Sequence, residues 1–234
     1  MIKISHLTRK FNDNIAVDDL CLDIPKGAMF GFLGANGAGK TTTLKMLMGL
    51  LQPTSGEAFI DNINVRENPI EIKARVGYLP DEVFLYDYLT GRQFLEFVAD
   101  VYNVKSSSRE TKIEELLDSF GLKEVSNDYT ANYSFGMKKK LALASIIIHE
   151  PSLLILDEPF NGLDPQATRD FKNMIKKMSD EGVTIIFSSH VLEVVEKLVT
   201  HIAIINKGKL KICDSIDNVK KYYESLEKAF FALT

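Results

Sequence analysis

The run FLGANGAGKTTT, residues 32–43, has residue types and spacing suited to holding phosphate. Gly34, Gly39, Lys40 and Thr41 satisfy the pattern G-x-x-x-x-G-K-[ST]. Glycines let the backbone curl so that successive N–H groups face inward as an anion nest. A helix starting at Lys40 would add its positive N-terminus. Lys40 can reach β- and γ-phosphates, the Thr41 hydroxyl can ligate Mg²⁺, and Thr42 can approach an α-phosphate. The backbone of Gly34, Ala35, Asn36, Gly37, Ala38 and Gly39 completes the candidate cradle.

A cradle alone fits a kinase, a GTPase or a motor. The stretch LLILDEPFNGLDP, residues 153–165, narrows the choice. Four apolar residues end in Asp157 and Glu158, as in a buried strand whose carboxyl end faces a ligand crevice. Asp157 is then placed to hold Mg²⁺ through water, and Glu158 to polarise an attacking water as general base. Taken alone, such an Asp-Glu pair is as often a solvated turn. Among the four histidines, only His190 follows a strand that should neighbour LLILD, and it can bridge Glu158, water and a γ-phosphate. Phe11 is a candidate stacking face for a base, although core or loop filling is the commoner role of such a residue.

A third stretch, YSFGMKKKLALA, is harder to place. Ser134, Phe135 and Gly136 stand at the head of an expected helix, followed at once by Lys138, Lys139 and Lys140. A helix N-terminus favours anions, so three cations there are locally disfavoured.

These residues need elements to hold them. Ile2 and Ile4, then Val17, Leu20, Leu22 and Ile24, alternate as in strands. AMFGFL (28–33) reads as a buried strand, Lys40 to about Leu50 as a helix ending near Gly49, and RVGYLP (75–80) as a strand stopped by Pro80. From about residue 85 the period turns helical. Thr90 and Gln93 form a capping box, with Phe94, Phe97, Val98 and Val101 behind it. Ser107 and Glu110 form a second, followed by Ile113, Leu116, Leu117 and Phe120. A helix is expected from Ser134 to Ile148. Strands and helices then alternate again through LLILD, Pro165–Met178, VTIIFSS (183–189), a helix after His190, and HIAIIN (201–206). This pattern predicts an α/β fold with a mainly parallel sheet, an antiparallel N-terminal β part and an inserted helical subdomain at about 85–150, the core comprising about 1–84 and 151–234.

The bulk numbers set limits. The 234 residues suffice for one large domain with an insertion. Net charge is −4, so no global basic field points to nucleic acid. Cys21 and Cys213 form no metal or disulfide framework. No apolar run approaches the roughly 20 residues of a membrane span, and the first residues lack the apolar stretch of a signal peptide.

In order and spacing, these pieces resemble the nucleotide-binding subunit of ABC transporters over almost the whole chain. The family's aromatic A-loop residue, Walker A, Q-loop, signature, Walker B, D-loop and H-loop map onto Phe11, Gly34–Thr42, GYLPD, YSFGM, LLILDE, NGLD and His190. The resemblance implies a P-loop ATPase using ATP and Mg²⁺. It also implies a head-to-tail dimer in which each ATP lies between one chain's cradle and the other's signature. The Ser134 hydroxyl and Gly136 N–H would then donate to the partner's γ-phosphate, and the lysines would form a mainly solvated cluster at the interface rim. The signature departs from the usual two glycines and glutamine at Phe135 and Met137. The Q-loop glutamine is replaced by Asp81, which can bind metal or water. Because Lys40, Asp157, Glu158 and His190 are all present, turnover is expected.

PDEVFLYDYLTGRQFLEF, YSFGMKKKL and SLEKAFFALT are most similar to ATPases of bacterial ABC-2-type exporters, a group that includes drug, antibiotic-resistance and bacteriocin-immunity pumps. A separate integral-membrane permease is the implied partner, with the subunit cytoplasmic and peripheral on the inner face of the membrane. Phe84, Leu85, Tyr86 and Tyr88 follow the Q-loop, where the family docks a permease helix, or else they pack the helical insert internally. The competing reading is a soluble ABC-type ATPase switch acting on nucleic acid or ribosomes. Such proteins usually carry two cassettes, long coiled coils or basic extensions, whereas this chain has one cassette and no long heptads. No nucleic-acid partner is expected.

Overall fold

The computed structural model describes all residues, Met1–Thr234. Two sheets form around the alternating apolar pattern. In the first, β1 (Ile2–Phe11), β2 (Asn14–Ile24), β4 (Ser55–Ile60) and β5 (Ile63–Asn64) run antiparallel in the order β2-β1-β4-β5. Ile2 and Ile4 point inward as their period requires, but the register shifts before Leu7, and His6 adopts φ 51°. The irregularity lets Leu7, out of phase with Ile4, be buried as well.

The second sheet has the order β10-β9-β3-β8-β7-β6. It is built from β3 (Met29–Leu33), β6 (Val76–Leu79), β7 (Leu153–Leu156), β8 (Thr184–Ser189), β9 (His201–Asn206) and β10 (Lys209–Ser215). Five strands are parallel, and β10 returns antiparallel to β9 through the Lys207-Gly208 turn. Their near-continuous apolar runs follow from burial on both faces. In β3, Met29 and Leu33 join one core, and Phe30 and Phe32 the other. In β7, Leu154 and Leu156 divide from Leu153 and Ile155 in the same way.

The helices are α1 (Lys40–Leu47), α2 (Pro69–Arg75), α3 (Gly91–Val101), α4 (Ser106–Ser119), α5 (Phe135–Ile147), α6 (Pro165–Asp180), α7 (Leu192–Glu196), α8 (Ile216–Tyr223) and α9 (Leu226–Leu233). Helices α3, α4 and α5 occupy the chain between β6 and β7, which are sheet neighbours. The core below that face includes Phe94, Leu95, Ile113, Leu117 and Leu141 together with Phe171 and Ile175 of α6.

The capping box at Thr90 and Gln93 forms in both directions. The one expected at Ser107 and Glu110 does not. Helix α4 starts at Ser106 after Lys105, without a side-chain cap. The Glu110 carboxylate instead accepts a hydrogen bond from Arg92 at 2.8 Å, so a contact to α3 takes the group that local capping needed. The helix after His190 is also shorter than a typical element, only five residues.

This topology brings the carboxyl ends of the parallel strands to one edge. There β3 delivers residues 34–39, β6 delivers Asp81, β7 delivers Asp157 and Glu158, β8 delivers His190, and β9 delivers Lys207.

Candidate active site

A cleft of about 470 Å³ opens at that edge, lined by Ala35 to Thr42, Asp81, Asp157 and Glu158 together with Asn14, Ile15, Ala16 and Lys207. This volume lies in the range of ligand sites. Gly39 has φ 109°, and a Cβ there would lie 2.5 Å from the Ala16 carbonyl oxygen, so only glycine joins loop to helix. As the N-cap of α1 it offers no capping side chain. The first-turn N–H groups therefore remain available to an anion. The Lys40 ammonium, buried at 7% exposure, donates to Gly34 O at 2.7 Å and Ala35 O at 3.3 Å, and lies 3.7 Å from Glu158 Oε1.

The two acids are differently held. Asp157 Oδ1 accepts from Ser188 Oγ at 2.5 Å, while Oδ2 is buried without a hydrogen-bond partner. The Tyr78 hydroxyl is likewise buried without a partner, and burial, reinforced by Asp157 and Asp81, pushes its pKa up to about 12. An unpaired carboxylate oxygen beside an acid-lined cleft fits a hydrated divalent cation, as does the nearby Thr41 hydroxyl. Glu158 points its Oε1 at His190 Nδ1, 3.0 Å away. Parallel pairing of β7 with β8 produces that meeting. Glu158 itself adopts φ 47°, a left-handed conformation sparse for residues other than glycine.

The family model described as ABC transporter matches residues 17–161. The chain belongs to the ABC transporter family. It is 39% identical over 222 residues, covering 94% of this chain and 72% of the other, to the bacitracin transport ATP-binding protein BcrA of Bacillus licheniformis. A solved ATP-binding subunit of an ABC transporter superposes with a TM-score of 0.94 at 27% identity, covering 100% of this chain and 99% of that one. The ATP-binding cassette MJ0796, solved as a dimer in a post-hydrolysis state with ADP and Pi, shares the fold with a TM-score of 0.83 at 23% identity, covering 92% of this chain and 98% of that one. The protein is thus the ATP-binding, ATP-hydrolysing subunit of an ABC transporter.

Of the remaining motif residues of this ABC ATPase, Asp81 lines the cleft, whereas Phe11, Ser134, Phe135 and Gly136 do not. Ser134 caps α5, its hydroxyl oxygen accepting from Met137 N at 3.3 Å, and it is exposed. Neither Ser134 nor Gly136 lines the cleft of its own chain. Phe135, standing where the family usually has glycine, lays its ring on Gly162. A Cβ on Gly162 would fall 2.0 Å from that ring, and Gly162 itself has φ 76°. Phe11 is 42% exposed at the end of β1, with the Arg9 guanidinium 4.5 Å from its ring centroid. Asn14, Ile15 and Ala16 of the following strand, and not Phe11, line this cleft. Asp81 lines the cleft from an exposed position.

The three lysines are not a mainly solvated cluster. Lys138 lies 3.4 Å from Asp87 and Lys140 lies 3.5 Å from Asp164. Lys139 is buried at 1% exposure and donates to the Glu158 carbonyl at 3.0 Å. Burial lowers its pKa, and the charges of Asp81, Glu158 and Asp157 oppose that shift. The misplaced charge at the helix head is explained by three tertiary partners, none of which the helix sequence reveals. Sequence reading also missed Ser188, Asn14, Ile15, Ala16 and Lys207. For Ser188 there was a usable signal, because FSSH follows a strand expected beside LLILD.

Proposed function

We propose that this subunit powers an exporter by closing on a second copy of itself around two ATP molecules. The observation that carries the reading is the division of the site. Lys40, Asp157, Glu158 and the cradle meet at one cleft, while the exposed Ser134 and the half-buried Gly136 lie outside its lining. Residues Gly34, Ala35, Asn36, Gly37, Ala38 and Gly39 hold the phosphates through backbone N–H groups. Lys40 neutralises the β- and γ-phosphates, and Thr42 approaches the α-phosphate. Thr41, Asp157 and Asp81 would hold Mg²⁺, which would supply charge neutralisation at the phosphates. Glu158 takes the proton of the attacking water as its oxygen adds to the γ-phosphorus and the bond to the β,γ-bridging oxygen breaks, releasing ADP and phosphate, and His190 orients Glu158 through the 3.0 Å contact. Phe11, exposed and outside the cleft lining, would meet the base only where the base extends beyond the cleft. Ser134 and Gly136 complete the partner's site, so hydrolysis removes the group that joins the two chains.

The similarity to BcrA supports export of a drug-like or peptide cargo through a separate membrane permease, with this subunit held on the cytoplasmic face. No helix of the chain is long and apolar enough to cross a membrane. Phe84 and Tyr88, 83% and 92% exposed beside the cleft's Asp81, are suited to the permease contact, with residues 85–150 acting as a subdomain that moves against the core.

Lys40→Ala is expected to abolish nucleotide binding or turnover, measured by titration with a fluorescent ATP analogue and by phosphate release. Unchanged activity would overturn the cradle assignment. From detergent-solubilised membranes of its source cell, the wild-type chain is expected to copurify with an integral-membrane protein. Phe84→Ser with Tyr88→Ser is expected to lose that partner while keeping ATPase activity, and full retention of the partner would refute the docking assignment.

A further inference from the structure

The Glu158 peptide is gripped on both sides. Its N–H donates to Ser188 Oγ at 2.9 Å, and the same hydroxyl donates to Asp157 Oδ1 at 2.5 Å. Its carbonyl accepts from Lys139 Nζ at 3.0 Å and from Asn161 N at 3.2 Å. Ser188 and Lys139 are buried, at 0% and 1% exposure. Burying an ammonium is costly unless it is well paired. Lys139 forms no ion pair within 4.0 Å, and its one hydrogen bond goes to this neutral carbonyl.

The residue so held is the one whose conformation needs holding. A glutamate at φ 47° persists only where its surroundings over-determine it. With its peptide released, Glu158 can relax toward ordinary backbone angles, and its carboxylate then leaves His190. Lys139 also lies three residues beyond Gly136, on the first turns of α5. We infer that Lys139 and Ser188 are positioning residues for Glu158, and that Lys139 makes the setting of the general base depend on where α5 lies. Because the head of α5 carries Ser134 and Gly136, engagement of the partner's ATP by one chain is relayed to that chain's own hydrolytic site. This rests on the proposed two-chain site and adds a physical link between its two halves.

The test compares Lys139→Met, Lys139→Arg and Ser188→Ala in the full chain. Readouts are kcat, the dissociation constant of a fluorescent ATP analogue, and the melting curve. Lys139→Met keeps length but removes the donor, and it is expected to lower kcat roughly tenfold or more with nucleotide affinity within about twofold. Ser188→Ala should do the same, and Lys139→Arg should recover most of the lost turnover. A merely structural lysine would lower the melting temperature and leave kcat of the folded fraction intact. Unchanged kcat in both Lys139→Met and Ser188→Ala overturns the inference, as does equal loss of affinity and turnover in all three variants. If Lys139→Met fails to fold, Ser188→Ala and Lys139→Arg decide by the same criteria. Glu158→Gln separates the two levels. Full turnover in Glu158→Gln removes the base assignment itself, whereas an inactive Glu158→Gln beside a fully active Lys139→Met removes only the positioning role.

Discussion

Glu158 and its neighbours divide by how much of their role is local. Lys40, Thr41, Asp157 and Glu158 were legible because cradle and strand-end patterns are set by spacing along the chain. Lys139 was not, since it acts through a hydrogen bond across 19 residues of sequence, and Ser188, which acts across 30, was signalled only by the expected pairing of its strand with LLILD. Burial has similar effects away from the site. The His149 ring stacks on Tyr102 with centroids 3.8 Å apart, and burial lowers its pKa from 6.5 to about 4. Below pH 6.5 the unfolded chain takes up a proton that the folded chain refuses until about pH 4. The stability linked to His149 is therefore fully present above pH 6.5 and is lost as the pH falls through that window. His149→Phe keeps the aromatic stack and removes the titration. Its melting temperature should fall less steeply between pH 6.5 and 4 than that of wild type. Identical slopes in thermal melts would show that the buried ring carries no linkage.

At the scale of elements, the strand edges and the helix starting at Lys40 followed from apolar period and glycine placement. The capping box expected at Ser107 and Glu110, which does not form, shows the boundary of that method, since the Glu110 carboxylate is committed to Arg92 on another helix. The variant signature is a case of two segments fitting each other. Phe135 occupies the place that a Cβ on Gly162 would need. Gly162→Ala should destabilise the fold by about 1–3 kcal/mol, from the left-handed backbone together with the clash. In a Phe135→Gly background the same substitution keeps the backbone cost and loses the clash, so its penalty should shrink. Urea titration of the four proteins checks this, and strict additivity would mean that the ring and the glycine are independent.

For the whole molecule, two cores on opposite faces of one sheet fix the strand edge where the cleft lies. The fold class was legible because parallel strands buried on both faces have a recognisable apolar texture. What no single-chain pattern carries is the second half of a site contributed by another molecule. That Ser134 and Gly136, outside their own chain's cleft, serve a partner's ATP is the central claim, and Glu158→Gln tests it most directly. Removing the general base while keeping the cradle should trap the closed state. Analytical ultracentrifugation of Glu158→Gln should then show a dimer with ATP and Mg²⁺ and a monomer with ADP, alongside a turnover loss of roughly 10²-fold or more. A Glu158→Gln chain that stays monomeric with ATP and hydrolyses it at the wild-type rate would contradict both the base and the shared site.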